Sequence, residues 1–147
     1  MFAHVQLGAH DLARMSRFYD AVLAPLGLAR SGPESAVTGV PGPAGVIWRR
    51  PGTRWPQFVI HHPYDGRAAT VANGSQVSFL AQSQALVDEA WAVALALGAT
   101  DAGPPGLRPR YAPDFYAAYC RDPEGHKLCF VHTSAGAGAQ EPVQRPG

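Results

Sequence analysis

Arg121-Asp122-Pro123-Glu124-Gly125-His126-Lys127-Leu128-Cys129-Phe130-Val131-His132 is the stretch whose reading decides the fold. Asp-Pro-x-Gly is a tight-turn signal, because proline presets φ and glycine takes the left-handed step without steric cost. Apolar and polar residues alternate on both sides of it, the period of two that marks strands. Tyr116 to Arg121 therefore enters the turn and Lys127 to His132 leaves it, as a β-hairpin. The second strand sends Lys127, Cys129 and Val131 to one face and Leu128, Phe130 and His132 to the other.

Upstream of the hairpin, Asp101 to Pro113 is rich in proline and glycine and reads as a loop with little regular structure. Before it, Gln76 to Ala81 alternates like a strand. Ser83 then caps a helix whose apolar face is Leu86, Val87, Ala90, Trp91, Ala94 and Leu95, with Gly98 at its stop. The chain opens on the same pattern. Ala3 to Gly8 reads as a strand and Asp11 as a helix cap. Leu12, Met15, Tyr19, Val22, Leu23 and Leu26 recur at helical spacing, and Pro25 and Gly27 end the helix near Ala24. Ser31 to Gly45 reads as turns around short strands. Val46 to Arg49 and Gln57 to His61 read as strands, and Pro63 to Ser75 as a linker.

A shift of 72 residues carries His4 onto Gln76, Val5 onto Val77, Asp11 onto Ser83 and Tyr19 onto Trp91. The same shift carries Gln57-Phe58-Val59 onto Cys129-Phe130-Val131. Strand, cap, helix face and last strand recur at one offset, which reads as a duplicated β-α-β-β-β unit. The expected division is a first module over 1–62, a linker over 63–75, a second module over 76–133 and a mobile tail over 134–147. Two such units make an α+β fold with about eight strands.

At 147 residues the chain suits one compact domain or two small packed modules. Its hydrophobic fraction of 46% and charged fraction of 16% fit a soluble protein. A net charge of +1 supplies no field for nucleic acid or an anionic membrane. No basic segment precedes an apolar run, so no signal peptide is read. The longest apolar run, Ala90 to Leu97, falls far short of the roughly 20 residues a bilayer span needs. Cys120 and Cys129 flank the turn in adjacent strands, which leaves a disulfide open. Free thiols in a reducing cytoplasm are the expected state.

The hairpin resembles the closing hairpin of the vicinal oxygen chelate superfamily, which includes glyoxalase I, extradiol dioxygenases and bleomycin-resistance proteins. His4-Val5-x-Leu7-Gly8, Phe18 to Leu23 and Gly103 to Pro109 followed by Tyr111 carry the resemblance from His4 to His132. It implies two βαβββ modules whose curved mixed sheets enclose a central cavity, and a homodimer. In metal-bearing relatives the ligands come from the first and last strands of each module. The matching positions here are His4, Gln57, Gln76 and Cys129. Relatives carry a carboxylate at the last-strand positions, whereas this chain has Gln57 and Cys129. Extradiol dioxygenases use two histidines and a carboxylate, of which only His4 has a counterpart.

These residues favour a pocket that binds a small molecule without a standard divalent metal, and no cofactor is expected. Should a metal bind, zinc comes first, because it accepts mixed nitrogen and sulfur ligands. The competing reading is a metal-dependent lyase or dioxygenase-like enzyme on a small oxygenated substrate. Other candidates are a Cys129–His4 pair and a pocket wall supplied by Arg108, Arg110, Tyr111 and Tyr116. Trp48 and Trp55 with Arg49, Arg50 and Arg54 form a second aromatic-basic cluster. The sharpest binding-site set is His4, Gln57, Gln76, Cys129, Arg110, Tyr111 and Tyr116. His61 and His62 point opposite ways and do not readily share a metal. His10 reads as local capping, and His126 as a solvated turn residue.

Overall fold

The computed structural model describes residues 1–33 and 42–135. Part of the turn region read over Ser31 to Gly45, residues 34–41, and nearly all of the tail read as mobile, residues 136–147, lie outside the described residues. The first module runs β1 (His4–Gly8), α1 (Leu12–Leu23), a 3-10 turn (Ala24–Leu26), β2 (Ala29–Pro33), β3 (Gly45–Arg49) and β4 (Gln57–His61). The second runs β5 (Val77–Leu80), α2 (Gln84–Ala96), β6 (Thr100–Leu107), β7 (Tyr116–Arg121) and β8 (Lys127–His132). Each module folds into a four-stranded mixed sheet, in the orders β1-β4-β3-β2 and β5-β8-β7-β6. In each, the first and last strands pair in parallel and the rest are antiparallel. This is the expected α+β pair of βαβββ modules. The sheets do not close into a barrel, and β1 and β5 remain edge strands.

Period-two alternation gives each sheet a helix face. Trp48, Phe58, Ile60, Phe79, Ala118, Cys120, Leu128 and Phe130 project there. They join Met15, Phe18, Tyr19, Val22 and Leu23 of α1 and Val87, Ala90 and Ala94 of α2 in one core. The Phe58 and Phe79 rings meet edge-on at 5.1 Å and bridge the modules. Both helix caps are as read: the Asp11 carboxylate accepts from the Arg14 N–H at 2.9 Å, and the Ser83 hydroxyl from the Leu86 N–H at 3.3 Å.

The Asp-Pro-Glu-Gly turn, with Gly125 at φ 102°, is a latch between the modules. Asp122 accepts the buried Tyr19 hydroxyl at 2.6 Å and the Glu124 and His126 N–H groups at 3.0 Å each. The Glu124 carboxylate accepts from the His10 N–H at 2.9 Å and the Asp11 N–H at 2.8 Å, at the start of α1. His126 is not solvated. It is buried and donates from Nε2 to the Gly8 carbonyl at 2.8 Å, because the turn docks on the other module.

The expected loop over 101–113 is instead largely strand. β6 pairs antiparallel with β7 from Thr100 to Leu107, with register shifts around Gly103. Pro104 and Pro105 are tolerated because β6 is an edge strand and both fall in the register shift between Gly103 and Gly106, where no ladder N–H is required of them. Proline content alone therefore misreads an edge strand as a loop. The two cysteines are free and lie on opposite faces of the hairpin, Cys120 in the shared core and Cys129 outside it, which rules out a disulfide between them.

Candidate functional site

The faces turned away from the helices carry the chemistry. In the first module this face presents His4, Gln6, Gln57, Val59 and His61. His4 sits beside Gln57 in the parallel ladder. Its ring is exposed and lies 6.5 Å from the Trp55 ring. Gln57 is half-buried and its Nε2 donates to the Arg54 carbonyl at 2.9 Å. His61 is buried with Nδ1 against the His62 carbonyl, while the exposed His62 turns its Nδ1 to the Ala9 carbonyl at 3.0 Å. The two rings serve separate backbone acceptors.

In the second module Cys129 is buried and pairs across the sheet with Tyr119 on one side and Ser78 on the other. Burial pushes the Cys129 thiol pKa up and outweighs the Ser78 and Tyr119 hydroxyls and the Lys127 and Arg108 charges, which favour the thiolate. Cys129 is therefore held as a neutral thiol. Its partners do not include His4, so the Cys–His pairing is not assembled.

The ladder corrects one detail of the repeat. His4 stands opposite Gln57, but Ser78, not Gln76, stands opposite Cys129. The second module has slipped by one pleat. Gln76 precedes β5, is exposed, and donates from Nε2 to the Ser78 hydroxyl at 3.1 Å. A two-residue slip keeps every side chain on its face, which is why alternation could not reveal it.

Two cavities border this region. One, of about 520 Å³, is lined mainly by apolar side chains of both modules at the seam between β1 and β5, among them Val5, Trp48, Phe58, Val77, Phe79 and Leu80. Gln57 and Ser78 reach it; His4, Gln76 and Cys129 do not line it. The other, of about 490 Å³, lies on the second module and is lined by Gln76, Ala102, Gly103, Arg108, Tyr111, Phe115, Tyr119 and Lys127. The Arg108 guanidinium lies 5.6 Å and the Lys127 ammonium 5.5 Å from the centre of the Tyr119 ring. Tyr111 packs 5.2 Å from Phe115.

The remaining sequence candidates separate. Arg110 stays exposed with its guanidinium 5.9 Å from the Tyr111 ring. Tyr116 points to the helix face instead, where its hydroxyl donates to Asp88 at 2.7 Å, so it holds α2 rather than a ligand. Trp48 is buried and donates to Asp20 at 2.9 Å, whereas Trp55 is exposed beside Arg54. That aromatic-basic cluster is thus divided between core and surface. Tyr119 and Lys127 are pocket residues that the sequence alone assigns only to strands. Their signal was available: Lys127 shares the face of Cys129 by alternation, and Tyr119 follows once the hairpin register is drawn.

The metal that the resemblance implies needs anionic oxygen ligands if it is a hard divalent ion. Among the described residues no group of three His, Cys, Asp or Glu side chains is placed to hold an ion. The four candidate donors divide between the modules, two are amides engaged in hydrogen bonds, and the thiol is kept protonated by burial. The residues do not fit such a centre. No helix among the described residues is long and apolar enough to cross a membrane.

The sequence model of a glyoxalase-like domain matches residues 4–131. A glyoxalase/bleomycin resistance protein from Albidiferax ferrireducens T118 has a similar structure at TM-score 0.74, with 36% identity over 90% of this chain and 98% of that one. A lactoylglutathione lyase from Agrobacterium tumefaciens matches at TM-score 0.59 and 20% identity, over 90% of this chain and 92% of its own. A fosfomycin resistance protein from Listeria monocytogenes matches at 0.63 and 16%, over 94% and 98% respectively. These last two likenesses concern the fold alone. No curated protein matches the chain significantly.

Proposed function

The chain belongs to the glyoxalase-like domain family, and from that premise we propose that it binds a small organic molecule without a standard divalent metal. The observation that carries this reading is the state of Cys129. Where metal-bearing relatives place a carboxylate, this chain has a buried thiol whose proton burial retains, and no cluster of three His, Cys, Asp or Glu side chains stands near it among the described residues. The positive charges of Lys127 and Arg108 beside that neutral thiol repel a dication. Two cavities of about 520 and 490 Å³ supply room of the size small ligands occupy.

The same reading includes a homodimer. β1 and β5 are unpaired edges, and the exposed Val5 and Leu80 beside the seam are what a second copy would cover. The cytoplasm is the compartment we assign, on the two free thiols.

Elemental analysis of protein purified without chelator tests the metal statement, together with titration of zinc, manganese and nickel into the unmodified chain and Cys129→Glu. The expected result is less than a tenth of an equivalent of any of these metals or of iron, with manganese or nickel affinity raised in Cys129→Glu. Near one equivalent of iron, nickel or manganese, with a catalytic activity lost on chelation, would return the chain to the metal-dependent lyases or dioxygenase-like enzymes.

A further inference from the structure

We propose that the cavity on the second module is a carboxylate-binding site, in which Arg108 and Lys127 hold the anion and Tyr119, Tyr111 and Phe115 receive a flat unsaturated body. This inference rests on the small-molecule reading above and names the class of molecule. Its first support is charge. The lining includes two cations and no acid. Among the described residues the carboxylate ion pairs are Arg30–Asp20 and Arg67–Asp65, so Arg108 and Lys127 lack a carboxylate partner there. The acid on β6, Asp101, accepts from the Gly103 N–H instead and does not line the cavity. Two positive groups lie against one ring, 5.6 and 5.5 Å from its centre, with no acid in the lining, and a bound anion offsets their mutual repulsion.

The second support is that Arg108 is held in place by groups that leave its charge intact. Its Nη2 donates to the Pro104 carbonyl at 2.7 Å and its Nη1 to the Leu107 carbonyl at 3.3 Å. A guanidinium has five N–H groups, and these two bonds leave donors for a fork-shaped acceptor. The backbone is shaped for this pose. A Cβ on Gly106 would lie 3.0 Å from Arg108 Nη1, and a Cβ on Gly103 would lie 3.6 Å from Nη2 and 3.0 Å from Tyr119 Cδ2. The glycines of β6 thus form a shelf that lets the guanidinium lie down against the strand and beside Tyr119. An arginine fixed before the ligand arrives loses less side-chain entropy on binding.

The third support is the shape of the apolar part. Tyr111 and Phe115 set two rings 5.2 Å apart at an interplanar angle of 55°, and Tyr119 adds a third against the cations. Flat faces beside a cationic fork suit a conjugated or aromatic acid better than an aliphatic one.

Calorimetric titration of the full chain with 2-naphthoate and with the neutral 2-naphthamide, at low ionic strength, tests this. Naphthoate should bind at least about tenfold more tightly, the scale of a charge-assisted hydrogen bond. Arg108→Met and Lys127→Met should each erase most of that preference by weakening naphthoate far more than the amide. Tyr119→Leu should weaken both ligands, and Arg67→Met neither. Thermal melts establish that each variant is folded. If Arg108→Met does not fold, Lys127→Met tests the same charge preference. Equal affinity for acid and amide, both weakened by Tyr119→Leu, would overturn the anion assignment and leave the small-molecule reading standing. A preference that survives the cation variants would overturn the roles of Arg108 and Lys127. No heat from either ligand at millimolar concentration would overturn the pocket and count against the small-molecule reading with it.

Discussion

Cys120 lies in the shared core with no exposed surface, and burial first, then the charges of Asp122, Asp101 and Cys129, push its thiol up to about 12. Unfolded, the same thiol would ionise near its ordinary value of 9.0. The folded state therefore keeps the proton that the unfolded state releases. This contribution to stability is complete below about pH 9 and is lost as pH rises toward about 12. Cys129 shifts in the same direction, as does Tyr19, which starts from 10.0. Melting temperature should fall steeply above about pH 9, and Cys120→Ala with Cys129→Ala should flatten the first part of that fall. An unchanged slope in the double variant would assign alkaline unfolding elsewhere. At this scale the sequence was informative about faces and silent about ionisation. Alternation placed Cys129 opposite to Phe130, but the neutral state of its thiol depends on burial against Ala117 and Val131, which only the packed sheet supplies.

Among elements, α1 is the one whose start depends on another module. Asp11 caps it locally, yet the His10 and Asp11 N–H groups are both satisfied by Glu124. A carboxylate at a helix N-terminus gains from the helix dipole as well as from charged hydrogen bonds. Glu124→Ala should cost about 1–2 kcal/mol in urea unfolding, more than the roughly 1 kcal/mol expected for the purely local cap lost in Ser83→Ala. Glu124→Gln, which keeps the acceptor and loses the charge, should fall between wild type and alanine. Caps, helix faces and the closing hairpin were legible because each is written in neighbouring residues. β6 was not, since Pro104 and Pro105 disguise a strand whose pairing partner lies beyond a loop. Nor was the one-pleat slip of β5 against β8, because period two is blind to shifts of two residues.

For the whole molecule, the unpaired edges β1 and β5 and the exposed Val5 and Leu80 make self-association the expected state. Sedimentation should show a dimer at micromolar concentration, and Val5→Lys with Leu80→Lys should shift it toward monomer. A monomeric wild type would remove the second copy from the proposal. Whether the four candidate donors meet was illegible for the same reason. His4 and Gln57 belong to one sheet and Cys129 to the other, so their separation depends on how the modules pack rather than on any local pattern. That packing runs through the turn that joins β7 to β8. The backbone N–H of His10 and the carboxylate that receives it are separated by 114 residues. On the ribosome the first module emerges while Glu124 has yet to be translated. Until almost the last strand has been made, the His10 and Asp11 N–H groups have water in place of that carboxylate. The two modules are in this way no longer interchangeable: the earlier one gains its full set of hydrogen bonds only when the later one is born.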